Sequence, residues 1–239
     1  MQVSVNTEEA PFRASHAILL YGQRRPSYAS VHSVGVDSSG ELSIEAGVPA
    51  TVDGLRKMFD SLDPSRSARP VFLEPNVLSQ GPGWLVWWMK PQTRRVWFES
   101  KEIKLETAEV PHPGLVFAVT QEEWRVFAVQ GRSRPRPGTK LYQAPYWNVW
   151  KGGRICAGSA RLPSAGLQAD PSGWEESFFS SRFSHPNIHE KDALVKYKGG
   201  SAKFWNAMLS GKFKSFPQEV LVPAELTVRD LLAQIGGRL

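Results

Sequence analysis

The chain has 239 residues, 41% of them hydrophobic, and a formal net charge of +6. That length and apolar content suffice to bury a core, which excludes collagenous, low-complexity and wholly disordered classes. No stretch approaches the roughly 18 to 20 consecutive apolar residues of a membrane-spanning helix, and polar sequence follows Met1, so a soluble, cytoplasmic protein is expected. The one cysteine, Cys156, excludes an intramolecular disulfide framework and a cluster of thiolate metal ligands.

The first fifty residues read as short strands at 16–21 and 28–36, broken by turn-rich Gly, Ser, Pro and Asp. They are taken as a β-rich extension, 1–50, ahead of a domain spanning 51–239. Thr51 is placed to cap a helix whose Leu55, Met58, Phe59 and Leu62 share one face, with Pro64 at its end. From 84 to 142 the pattern changes to short apolar or alternating runs: WLVWWM (84–89), RVWFES (95–100), GLVFAV (114–119) and WRVFAV (124–129). These predict an antiparallel meander, with 90–94 as its first hairpin turn and 120–123 as a later one. A short strand at 140–142 follows.

Beyond Cys156 the signal turns helical. Phe204, Trp205, Met208 and Leu209 form a stripe closed by Gly211, and Thr227 with Asp230 makes a capping-box start for a helix ending at Gly236. Helix, meander, irregular segment and further helices in that order make the fold class α+β.

Basic charge is concentrated. Between residues 124 and 169 there is no acid, while Arg125, Arg132, Arg134, Arg136, Lys140, Lys151, Arg154 and Arg161 are all cationic. The rest of the chain holds 21 cations and 23 anions, so the basicity is local and brackets the cysteine. Within this stretch Gly152 and Gly153 permit positive φ or a close approach just before the thiol. Lys151 and Arg154 favour a thiolate over a thiol. A lone cysteine is otherwise most often a small buried hydrophobe.

The segment APYWNVWKGGRIC (144–156) resembles the active-site loop of the ubiquitin-conjugating enzymes. In that family the asparagine of a His-Pro-Asn triplet is followed by glycine at +5, isoleucine at +7 and the catalytic cysteine at +8. Here Asn148 is followed by Gly153, Ile155 and Cys156 at those positions. Pro135, Pro137 and Thr139-Lys140-Leu141-Tyr142 match the proline-rich entry into a short strand. Together with WEESFFSSRFSHPN (174–187) and FWNAML (204–209), the loop is also similar to the protein B family of the bacterial PRTRC cassette, regarded as divergent relatives of the conjugating enzymes.

The resemblance implies a conjugating-enzyme-like α+β fold, with an antiparallel meander flanked by helices. It also implies an acyl (thioester) transferase that carries a ubiquitin-like protein, receives it from a ThiF-like activating enzyme and passes it to an amine, without a cofactor. Cys156 would be the acyl acceptor. Asn148 would aim its amide at the oxyanion or else hold the loop in shape, and Tyr142, Gly152, Gly153 and Arg154 would accommodate the modifier's tail. Three features depart from the family, one being three extra residues between Tyr142 and Cys156 relative to the usual spacing. Tyr146-Trp147 stands in place of His-Pro, and Gly158 stands where an acid often helps to deprotonate the incoming lysine.

Two other readings use the same residues. One keeps the fold as a docking module without a thioester; the other is a basic nucleic-acid-binding protein of a plasmid-maintenance cassette, with Trp87, Trp88 and Trp97 as a stacking platform. Tryptophans on meander strands are, however, expected in the core. His185-Pro186-Asn187 copies the family triplet literally, but no cysteine follows it, so the sequence assigns it no part in the chemistry. With His189 it gives a His-x-x-x-His pair. Pro186 argues against the helix such a pair needs, and no metal site is expected.

Overall fold

A computed structural model describes residues 14–23, 26–62, 72–81, 83–158, 160–164, 170–189 and 194–236. The chain divides into two compact units, Met1–Phe72 and Leu73–Leu239. In the first, strands β1 (His16–Tyr21), β2 (Tyr28–Val36) and β3 (Leu42–Pro49) form an antiparallel sheet in chain order. The second hairpin is closed by an Asx turn, in which the Asp37 carboxylate accepts the N–H groups of Ser39 and Glu41 at 2.8 and 3.0 Å. Helix α1 (Val52–Leu62) starts as expected, Thr51 Oγ1 accepting the N–H of Gly54 at 3.0 Å. Pro64 lies outside the described residues.

The second unit contains β4 (Val77–Gly81), β5 (Trp84–Met89), β6 (Thr93–Phe98), β7 (Thr107–Pro111), β8 (Gly114–Thr120), β9 (Trp124–Val129) and β10 (Lys140–Gln143). Helix α2 (Pro171–Phe179), strand β11 (Arg182–Phe183), helix α3 (Gly200–Leu209), strand β12 (Pro223–Thr227) and helix α4 (Val228–Gly236) complete it. A six-stranded sheet runs β12-β10-β9-β8-β5-β4, and a three-stranded one runs β11-β6-β7. Among the described residues, only the β11–β6 pairing is parallel. The class is α+β, with antiparallel sheets and, among the described residues, four α-helices.

One expected turn is different. Residues 90–92 separate β5 from β6, 93 and 94 already belonging to β6, but the two strands enter different sheets, and β5 pairs with β8 in the register Trp87↔Phe117. Burial explains the exchange. β8 is buried on both faces up to its last residue and β5 nearly so, which suits positions in a sheet covered on both sides. TRRVWF in β6 alternates and buries one face, which suits the smaller sheet. The turn at 120–123 does join β8 to β9, with Thr120 N–H donating to Glu123 O at 2.8 Å.

Side-chain alternation along the large sheet makes two cores. Leu85, Trp87, Leu115, Phe117, Val126 and Ala128 face a layer that includes Trp174 and Phe178 of α2 and Phe204 and Trp205 of α3. Val86, Val116, Ala118 and Phe127 face α4 through Val228, Leu231 and Ile235. The capping box that starts α4 is formed: Asp230 Oδ2 accepts Thr227 N–H at 2.8 Å, and Thr227 Oγ1 accepts Asp230 N–H at 3.3 Å. Gly236 is the last residue of α4. No helix among the described residues is long and apolar enough to cross a membrane.

Candidate active site

The approach to Cys156 begins where β10 ends. Ala144, Tyr146 and Trp147 are completely buried, so the residues standing where the conjugating enzymes have His-Pro anchor the turn by apolar packing. Trp205 Nε1 donates to Pro145 O at 2.9 Å, and Trp147 meets Phe98 edge-on at 5.3 Å. Tyr146 Oη lies 2.7 Å from His112 Nδ1, while His112 Nε2 lies 3.2 Å from the carbonyl of Arg94. A carbonyl can only accept. Nε2 therefore carries the ring proton and Nδ1 accepts from the tyrosine hydroxyl. Burial holds this histidine neutral, its pKa pushed down to about 3, and raises the Tyr146 hydroxyl well above its ordinary value.

From this anchor, residues 148–156 turn back on themselves. Val149 bridges Ile155, Trp150 N–H donates to Arg154 O at 2.8 Å, and Gly153 N–H donates to Trp150 O at 3.0 Å. Gly152 and Gly153 take φ of 82° and 83°, the left-handed region expected of them. They differ in surroundings: Gly152 is open, whereas a Cβ on Gly153 would stand 2.6 Å from the Phe127 ring. The hairpin is hung on β9 by Val126 N–H to Gly153 O and Ile155 N–H to Trp124 O, both 2.8 Å. Cys156 emerges exposed, its N–H donating to Asn148 O at 2.7 Å.

Cys156 and Asn148 line one cleft, of about 280 Å³. The segment after α2 adds Ser181, Arg182, Ser184, His185 and Asn187 to its lining. Tyr142, Gly152, Gly153 and Arg154 lie outside that lining. Tyr142 donates to Gln130 Oε1 at 2.9 Å, and Arg154 is exposed on the hairpin. Asn148 Nδ2 faces Ser181 Oγ at 3.3 Å. The serine hydroxyl gives its proton to Phe178 O at 2.6 Å, so it can only accept, which settles the orientation of the asparagine amide. Asn148 Oδ1 is buried without a partner among the described residues.

His185-Pro186-Asn187, set aside in the sequence for want of a following cysteine, therefore stands at the cysteine after all. The reason is tertiary: Asn187 N–H donates to Trp147 O at 2.8 Å, which stitches the downstream triplet to the residue before Asn148. Nothing in sequence separation reveals that bond, although the literal triplet was a visible signal. Trp87 is wholly buried, as expected for a meander strand, while Trp97 is 39% exposed. Two cations of the basic stretch are structural. Arg134 donates to Pro75 O and Val77 O at 3.1 and 2.7 Å, and Arg125 pairs with Glu123.

A family model described as prokaryotic E2 family D matches residues 54–224. The chain belongs to that family. E2 denotes the ubiquitin-conjugating enzymes, so family D membership agrees with the resemblance to the protein B family of the PRTRC cassette and gives the chain a conjugating-enzyme-like character. The family D match takes in the whole Cys156 loop, the downstream triplet and α3. No curated protein and no solved structure matches the chain.

Proposed function

We propose that this family D protein carries a ubiquitin-like protein as a thioester on Cys156, taking it from a ThiF-like activating enzyme and passing it to an amine. The observation that carries the reading is an exposed sulfur in a cleft shared with Asn148, in a chain of the E2 family. The thiolate attacks the carbonyl of the modifier's activated C-terminus, and the thiol of the activating enzyme leaves. Asn148 supports the geometry through both ends of the residue, its carbonyl holding Cys156 N–H and its amide reaching Ser181.

On the same reading, residues 51–239 make up the conjugating-enzyme-like domain, its meander rearranged by the transfer of β6 and β7 to a second sheet. The start of the family match at residue 54, inside α1, supports that boundary. Tyr142, Gly152, Gly153 and Arg154 act through the shape of the loop and the approach to it. The remaining basic side chains of 125–161 attract an acidic face of the modifier or activating enzyme and chiefly raise the association rate. The protein works in the cytoplasm.

Incubation with candidate activating enzyme, modifier and ATP tests this. Wild-type protein is expected to form a reductant-sensitive adduct at Cys156, and Cys156→Ser a reductant-resistant oxyester. Failure of both to form, with an activating enzyme that has loaded its own thiol, would leave a docking module without chemistry.

A further inference from the structure

Attack of a thiolate on a thioester makes an oxyanion, and preorganised N–H groups that meet it govern much of the rate. At the Cys156 cleft several donors are engaged. The N–H of Cys156 goes to Asn148 O, and the amide of Asn148 is turned to Ser181. Farther round the lining, Ser181 donates to Phe178 O, Ser184 Oγ and His185 Nδ1 share a hydrogen bond of 2.9 Å, and Arg182 reaches Glu99 at 3.2 Å.

Asn187 differs from all of these. It is only 8% exposed, it lines the cleft, and its Nδ2 is buried without a hydrogen-bond partner among the described residues. A buried amide N–H₂ left unpaired is costly, and one that lines a cleft can be satisfied by an acceptor that enters it. The position is also tied to the cysteine's loop. Asn187 N–H is held by Trp147 O, and the adjacent Asn148 O holds Cys156 N–H, so two backbone bonds on neighbouring residues tie the backbones of Asn187 and Cys156 to one loop.

We propose that the Asn187 side-chain amide is the oxyanion donor for acyl transfer onto Cys156. A catalytic role for this downstream residue rests on the reading of Cys156 as an acyl acceptor. As the Sγ–C bond forms, the carbonyl π electrons move to oxygen and Asn187 N–H meets the charge. The carbonyl then re-forms, the leaving thiolate departs with its electron pair, and solvent takes the cysteine's proton and protonates the thiolate.

Two small probes on the full chain separate the possibilities. A diglycine thioester of 2-mercaptoethanesulfonate acylates Cys156 through an oxyanion, whereas iodoacetamide alkylates it by displacement at carbon with none. Asn187→Ala is expected to slow acylation about a hundredfold and leave alkylation at the wild-type rate. Asn187→Asp, which keeps the size and removes the N–H₂, is expected to do the same. Wild-type acylation in either variant, or equal loss of both reactions in the two variants, overturns the assignment. A wild-type protein that is alkylated but never acylated overturns the acyl-carrier reading itself, and this assignment with it.

Discussion

Gly152 and Gly153 share a backbone conformation yet are needed for different reasons. Both have φ near +83°, where an L side chain costs about 1–2 kcal/mol. At Gly152 nothing else stands in the way, so Gly152→Ala is expected to lower unfolding free energy by about that amount. At Gly153 the added methyl also meets the wholly buried Phe127 ring. Overpacking of that kind adds about 1–3 kcal/mol, so Gly153→Ala is expected to cost about twice as much or more, as measured by urea denaturation at unchanged m-value. Because Gly153 O and Ile155 N–H both bond β9, the same variant should also slow modification of Cys156, which Gly152→Ala should not.

Helix α2 shows how an element positions the site without touching the thiol. Asp170 caps it by accepting Gly173 N–H at 3.0 Å, and Pro171 opens it, a start signal present in the sequence. The helix is moored by Glu175, which accepts from Trp87 Nε1 at 3.2 Å and pairs with Arg94 at 2.7 Å. Desolvation pushes the Glu175 carboxyl up and Arg94 opposes that rise. Removing the carboxylate leaves an indole N–H without its acceptor and a mostly buried guanidinium with only the longer contact to the exposed Glu176 at 3.8 Å. Glu175→Ala is therefore expected to cost about 2–4 kcal/mol in thermal or urea unfolding. Ser181 and the downstream triplet follow this helix directly, so the variant should also loosen the cleft and blunt the reactivity of Cys156 toward the diglycine thioester.

For the molecule as a whole, His112 links stability to pH. Its pKa is about 3 in the folded state and 6.5 in the unfolded one. Between those values the unfolded chain binds a proton that the native chain does not. Stability is thus complete above pH 6.5 and falls as pH drops toward 3, by up to about 1.4 kcal/mol per pH unit. The raised carboxyl of Glu175 has the opposite sign, favouring the folded state as pH falls through its own range. Urea titrations from pH 7 to 4 should show the wild type losing stability faster than His112→Gln, and equal slopes would refute the buried neutral histidine.

What could be read from residues in order was the local structure. The β8–β9 hairpin, the Thr227–Asp230 capping box and the positive φ of the glycine pair depend on side chains within a few positions of one another. The register from Asn148 to Cys156 was equally plain, since a loop motif is written in consecutive residues. Pairing partners were not plain: β5 leaves its neighbour β6 for β8 because faces must be covered, and that is settled by the layers on either side. Tertiary structure alone brought Asn187 to the cysteine, because a hydrogen bond to Trp147 O spans forty residues and has no signature in spacing. Short-range chemistry set the loop; long-range burial and backbone pairing decided which side chains face it.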